Sequence, residues 1–327
     1  MRVLADFSLS RVRERVARRA GRGRGVVCVP SPPAPLPHAG EGSWSGKWFC
    51  VAALLFLALG AASADPPPQR VVTLAPHLTE LACAAGACDR LVGVSAYSDY
   101  PPQVRGLPQV SDAASVNLEA VLGLKPDLVL AWDGGTPPET VARLRDLGLR
   151  VVPLKVRGLE DVAEVLRQTG AVLGTEAAAN AAAQAYRERL AALRARWRGA
   201  ATIRALYQIE TAPAYSVNHD SPISEAITLC GGINVFAGLP RIAAPVSAEA
   251  VLAARSEAVL YGGEENAQAM RDYWARLAGA PAQRLGNLYP VDASLLGRYG
   301  PRLLDGVEQV CAALDQARAR RAAAAAK

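Results

Sequence analysis

The sequence predicts an α/β fold: two Rossmann-like α/β lobes joined by one long connector helix, with a ligand cleft between the lobes. Three observations carry this. After Asp65, short β-rich runs alternate with amphipathic helical runs, the pattern of a mostly parallel sheet covered by helices. Near the middle, Thr175 to Trp197 is Ala-rich, contains no Pro or Gly, and breaks that rhythm. Beyond it the chain repeats itself, because "NLEAVLGLKPDLVLAW" from Asn117 returns about 130 residues later as "SAEAVLAARSEAVLY" from Ser247.

Taken in order, "RVVTLAP" reads as a strand and "LTELACAAG" as a helix closed by Gly86. "LVGVSAY" is strand-like, "VNLEAVLGL" is an amphipathic helix ended by "KPD", and "DLVLAW" is a buried strand. "PPETVARLRDLG" is a helix opening on Pro, "RVVPLKV" a strand, and "LEDVAEVLRQTGAVLG" a helix. The connector, with Thr175 as its N-cap, would span roughly 34 Å at 1.5 Å per residue. The second half then runs strand "IRALYQI", helix "SPISEAITLCGG", helix "SAEAVLAA", strand "AVLYGG". Helix "AQAMRDYWARLAG", strand "RLGNLYPVD" and a last helix "PRLLDGVEQVCAALDQARARR" complete it. "TELACAAG" corresponds to "SEAITLCGG", so the repeat is a duplicated α/β lobe. Ligands of such sheets bind beyond the carboxyl ends of the strands, which here face one another.

The predicted organisation is a leader over 1–64, a first lobe over 65–173, the connector over 174–199, a second lobe over 200–318 and a tail over 319–327. The leader has the marks of export: Lys47, then apolar "WFCVAALLFLALG", then "ASA" at Ala62–Ala64 with Asp65 as the new N-terminus. Its apolar run is shorter than the roughly 20 residues of a spanning helix, and a signal anchor is the alternative. The leader holds nine Lys/Arg and three Asp/Glu of the chain's 36 and 30, leaving twenty-seven of each sign in the body. A neutral body argues against a nucleic-acid surface.

Cys28 and Cys50 leave with the leader. Four cysteines remain in an oxidising compartment, and three pairings of them are possible. Cys83 and Cys88 lie five apart around Gly86, where a helical turn threatens to hold their Cα atoms apart. No G-x-S-x-G elbow, Walker A loop, H-E-x-x-H or C-x-x-C occurs in the chain. His77 and His219 are the only histidines beyond the leader, thin provision for a zinc site, so no metal site and no catalytic residue is expected. His77 reads as a solvated loop histidine near the cleft mouth.

"SAYSDYPPQV", "NLEAVLGLKPDLVLAWDGG", "LCGGINVF" and "VSAEAVLAARSEAV" together resemble the periplasmic vitamin B12-binding proteins of cobalamin ABC importers. The likeness covers roughly residues 69–316. It implies a monomeric periplasmic protein that captures a corrinoid as transported cargo and passes it to a membrane permease dimer. In this family an exposed Glu on each lobe docks onto Arg residues of the two membrane subunits, and Glu119 and Glu249 fall on those positions. The alternative is that each Glu only favours the first turn of its helix through the dipole.

The resemblance also places Tyr97, Trp132 and Tyr215 among aromatics that hold the ring. It makes the segment Ala293, Ser294, Leu295, Leu296, Gly297 the last wall of the cleft, and pairs Cys230 with Cys311. Ala113 and Ala243 stand where relatives often carry Trp, and Ile209 where they carry Phe. This leaves room for cobinamide or another corrinoid as well as cobalamin. A haem or Fe(III)-siderophore binder is the second reading and an exported small-metabolite enzyme the third.

Overall fold

The computed structural model describes residues 66–326. The predicted leader, its cleavage site, Cys28 and Cys50 lie outside the described residues.

The first lobe carries five strands: β1 (Val71–Thr73), β2 (Leu91–Ser95), β3 (Gln109–Ser111), β4 (Leu128–Trp132) and β5 (Val151–Leu154). They form one sheet in the order β3-β2-β1-β4-β5, parallel at every pairing. Its helices are α1 (Pro76–Ala84), α2 (Leu118–Gly123), α3 (Pro138–Asp146) and α4 (Asp161–Leu173). The connector α5 (Glu176–Trp197) follows.

The second lobe is built from β6 (Ile203–Gln208), β8 (Gly232–Asn234), β10 (Ala258–Gly262) and β11 (Leu288–Val291), again all parallel. Their order β8-β6-β10-β11 matches β2-β1-β4-β5. The duplication seen in the letters is therefore a duplication of topology. A separate antiparallel pair joins β7 (Tyr215–Val217) to β9 (Ala243–Pro245). Helices α6 (Pro222–Leu229), α7 (Ala248–Ala253), α8 (Ala267–Ala275), α9 (Pro281–Arg284), α10 (Ala293–Gly297) and α11 (Leu303–Ala325) cover this lobe.

Strand alternation divides each sheet into two apolar faces. Val71, Leu128 and Leu130 point to one cluster, while Val72, Val129 and Ala131 point to another. In the second lobe Ile203, Ala205, Ala258 and Leu260 join that first cluster, whereas Leu206 and Val259 face away. The shared cluster runs through Ala179, Ala183, Tyr186, Leu190 and Leu193 of the connector, spaced to line one stripe of a helix. One continuous core thus passes from lobe to lobe beneath the connector.

Several local expectations are corrected. Thr175 precedes α5 but caps nothing with its side chain; its Oγ1 is buried without a partner among the described residues. The last helix continues through Ala325, so residues 319–325 extend it. Strands β3, β7, β8 and β9 have three residues each, too few for an alternation pattern to stand out. Cys83 and Cys88 are bonded, with Cα atoms 4.0 Å apart. The helix ends at Ala84, and Gly86 adopts φ +88°, a left-handed turn that folds the chain back on itself. Cys230 and Cys311 form the second bridge, closing 81 residues and tying α6 to α11.

Candidate ligand cleft and docking helices

In the first lobe the chain leaves β1 in both directions across the sheet, so the crevice beside β1 and β4 is a topological switch point. A cavity of about 280 Å³ opens there, lined by the segments that follow β1, β2, β3 and β4 and including Tyr97, Ala113, Trp132 and Thr136. A second cavity, of about 720 Å³, lies between the lobes. Trp132, Asp133, Lys155 and Arg157 bound it on one side, with His219, Asp220, Ile242 and Tyr299 on the other. Trp132 lines both, so its indole separates the lobe-one crevice from the interlobe cleft.

Trp132 is held from three sides. Its backbone N–H donates to Thr136 Oγ1 at 3.0 Å. Gly135 passes beneath the ring, where a Cβ would sit 1.8 Å from the indole, so only glycine allows this pose. The third contact is His77, edge-on at 5.1 Å between ring centroids. His77 belongs to the first turn of α1 and is 4% exposed, which corrects its expected place on a solvated loop. Burial pushes its imidazole down to about 4, and its Nε2 has no partner among the described residues.

Tyr97 stands at the rim, 74% exposed, with φ at +63°. That left-handed backbone is unfavourable for an aromatic residue and marks the position as one held by its surroundings. A buried hydroxyl chain flanks it: Thr73 to Thr79 at 2.7 Å, Thr79 to Ser98 at 3.1 Å, and Ser98 to Ser95 at 3.1 Å.

The remaining expected positions are more scattered. Tyr215 begins β7, half-buried, and is outside the linings of both cavities, as is the segment Ala293–Gly297. Within that segment Leu296 has no accessible surface and Leu295 is 8% exposed, both packed toward Gly306 of α11. Their predicted place on the cleft wall is corrected to a place in the core; Ala293, Ser294 and Gly297 are exposed. Tyr299, a few residues on, is the second-lobe aromatic that lines the interlobe cavity. Its closeness in sequence to the "SLLG" run was the available signal. Ala113 lines the smaller cavity, so the missing aromatic there leaves space.

Two carboxylates tie the lobes together from equivalent helices. Glu80 of α1, 3% exposed, accepts from Arg302 at 2.6 and 3.1 Å and has Arg298 3.7 Å away. Arg298 also bonds Asp99, holding that carboxyl below the usual carboxylate range. Glu225 of α6, matched to Glu80 in the repeat, accepts from the Leu159 N–H at 2.8 Å. Each lobe thus reaches into the other.

The two predicted docking helices are built alike. Asn117 caps α2 by accepting from the Ala120 N–H at 3.0 Å, and Ser247 caps α7 by accepting from the Ala250 N–H at 3.2 Å. At the other end Arg70 donates to the Leu124 carbonyl at 2.7 Å and Arg204 to the Ala254 carbonyl at 2.8 Å. Asp127 accepts from the Arg70 N–H at 3.0 Å, and Glu257 from the Arg204 N–H at 2.9 Å. Glu119 and Glu249 each occupy the second residue of their helix, exposed, and no ion pair among the described residues uses either. The Glu249 backbone N–H and the Ser247 hydroxyl hold the Glu249 carboxyl below the usual range.

Two facing α/β lobes on a helical connector, with an aromatic-walled cleft between them, define a substrate-binding protein. The chain belongs to the periplasmic binding protein family, whose model matches residues 71–294. It is similar to the vitamin B12-binding protein of Vibrio cholerae serotype O1, 37% identical over 246 residues, 75% of this chain and 88% of that protein. The crystal structure of the periplasmic vitamin B12 binding protein BtuF of Vibrio cholerae matches with a TM-score of 0.71 at 36% identity. That match covers 77% of this chain and 98% of the other. A periplasmic heme binding protein from Pseudomonas aeruginosa matches at 0.67 and 29% identity, over 75% and 92%.

Proposed function

We propose that this protein is exported to the periplasm, captures a corrinoid (vitamin B12 or a precursor) between its lobes, and delivers it to the permease dimer of an ABC importer. The observation that carries this reading is Trp132, one rigid aromatic wall shared by the lobe-one crevice and the interlobe cavity. A bulky flat ligand gains from such a surface, since an aromatic buries 150–250 Å². Tyr97 at the rim and Tyr299 opposite extend it; Tyr215 and the exposed Ala293, Ser294 and Gly297 stand outside both cavity linings as further candidates from the second lobe. The vitamin B12-binding relatives support the corrinoid as cargo.

The charges around the cavity favour a neutral ligand. Lys155 pairs with Asp133 at 3.6 Å, Arg157 with Asp161 at 3.0 Å, and His219 lies 3.1 Å from Asp220. Among the described residues that line the cavity, each cation thus has an acidic neighbour, leaving none free for the propionates of haem or the oxygens of a ferric siderophore, whereas corrinoid side chains are uncharged amides. Glu119 and Glu249 serve as the paired acids that meet basic residues on the two membrane subunits; such charge complementarity governs orientation and on-rate.

Parallel titration with cyanocobalamin, cobinamide and haemin tests the reading. Ligand at a hundredfold excess over Kd adds about 2.7 kcal/mol to stability and raises Tm. A corrinoid-induced rise in Tm with a perturbed visible spectrum is expected. A response to haemin alone, or to none of the three, would overturn it.

A further inference from the structure

The repeat preserves more than the two glutamates. One helical turn beyond Glu119 stands Leu122, 36% exposed, and one turn beyond Glu249 stands Leu252, 42% exposed. Large apolar side chains at that exposure are few in the described residues, yet these two occupy the same position of the two lobes. A further three residues along come Lys125 and Arg255, both exposed. Residues three apart on a helix are neighbours, so acid and leucine adjoin on each helix, and the cation follows just past the helix end in both lobes.

The cations are the more telling members. Lys125 has φ +49° and Arg255 has φ +48°. These are the positions just past the helix ends, where a left-handed backbone favours glycine. Both lobes place a long basic side chain there instead. Neither cation forms an ion pair among the described residues. Neither the backbone conformation nor an ion pair among the described residues accounts for a cation at these two places.

We infer that Glu119–Leu122–Lys125 and Glu249–Leu252–Arg255 are two copies of one docking stripe, and that the partner is a two-fold membrane permease presenting a cation, an apolar socket and an anion on each subunit. The inference rests on the docking role given to the glutamates and extends it to a bipolar, partly apolar contact. A stripe with acid at one end and base at the other fits in one direction only. It sets the register of each lobe on its subunit, which a single Glu–Arg pair cannot do. The leucine, excluded from water on docking, supplies affinity that is insensitive to salt.

The test uses the full chain and the cognate cobalamin ABC importer reconstituted in nanodiscs, with docking affinity read by surface binding and ligand affinity measured alongside. Three double variants are compared with the parent: Glu119→Ala with Glu249→Ala, Leu122→Ser with Leu252→Ser, and Lys125→Gly with Arg255→Gly. The glycine pair removes both cations while relaxing the backbone, so its Tm should be no lower than the parent's and misfolding cannot account for a loss. Each pair is expected to weaken docking by roughly tenfold or more. If the glutamate pair loses docking while the leucine or the glycine pair docks like the parent, the stripe is overturned and the glutamate reading stands. Parent-like docking by the glutamate pair would overturn both.

Discussion

The two lobes are nearly copies of each other at their docking helices and unlike each other at the ends of their strands. Cap, acid, leucine, cation, arginine brace and anchoring carboxylate all recur between α2 and α7. At the cleft the correspondence fails: β4 ends on Trp132 and β10, five residues long like β4, ends on Gly262. The contrast follows from what each surface would meet. A two-fold partner offers the same pocket twice and so favours the same side chains twice. A single asymmetric ligand meets each lobe with a different edge and favours nothing in common. Duplicated chemistry and unduplicated chemistry therefore separate the docking face from the binding face within one chain.

The largest expected effect sharpens the comparison of the two disulfides. Replacing Cys230 and Cys311 by Ser, opening a closed segment of 81 residues, should lower stability by about 4 kcal/mol in the chain-entropy model. The same change at Cys83 and Cys88, five residues apart, should cost about 2 kcal/mol. Urea denaturation measures both, and equal losses would mean that α11 is held to its lobe by packing alone.

Next in size, Trp132→Ala should weaken corrinoid binding by about 3 kcal/mol, roughly a hundredfold, and Tyr215→Ala by less than tenfold. Titration by absorbance decides it; equal losses would return the second lobe to parity at the cleft. His77 gives a related prediction of about the same size, because the second lobe has Pro222 in the matching place. Above pH 6.5 the imidazole is neutral in both states; between 6.5 and about 4 only the unfolded chain takes the proton. Stability should therefore fall by about 3 kcal/mol as the pH drops from 6.5 to 4, and His77→Phe should flatten that slope in acid melts.

The crossing carboxylates give the widest contrast and, at Glu225, the smallest effect. Glu80→Gln breaks a buried pair with Arg302 and should cost about 3 kcal/mol. Glu225→Gln leaves a more exposed site and should cost about 1 kcal/mol. Thermal melts compare them, and a larger loss at Glu225 would reverse which lobe holds the cleft closed.

The longer elements were legible because they bury enough surface to impose a period. "DLVLAW" and "AVLYGG" are strands buried on both faces, and the connector spaces Ala179, Ala183, Tyr186, Leu190 and Leu193 at helical intervals. Strands β3, β7, β8 and β9 are three residues long and sit in no longer apolar run; β1 is as short, but its Val-Val-Thr is buried throughout and reads as a strand. Leu295 and Leu296 were misplaced because "SLLG" has no pattern that distinguishes a leucine facing a ligand from one facing α11. The resemblance named the Cys230–Cys311 bridge; nothing in the spacing reveals that Gly86 turns the chain enough to join Cys83 to Cys88.

By itself the sequence determined the alternation of strand and helix, the long connector and the twin glutamates. Each of these is written in local periodicity or in a repeated string, and local forces suffice to realise it. Only the tertiary structure decided that His77 lies buried against Trp132, that Glu80 meets Arg302 across 222 positions, and that Leu122 and Leu252 stay uncovered. Those outcomes depend on which faces meet when two lobes close over a shared core, and residues far apart in the chain carry no local trace of that meeting.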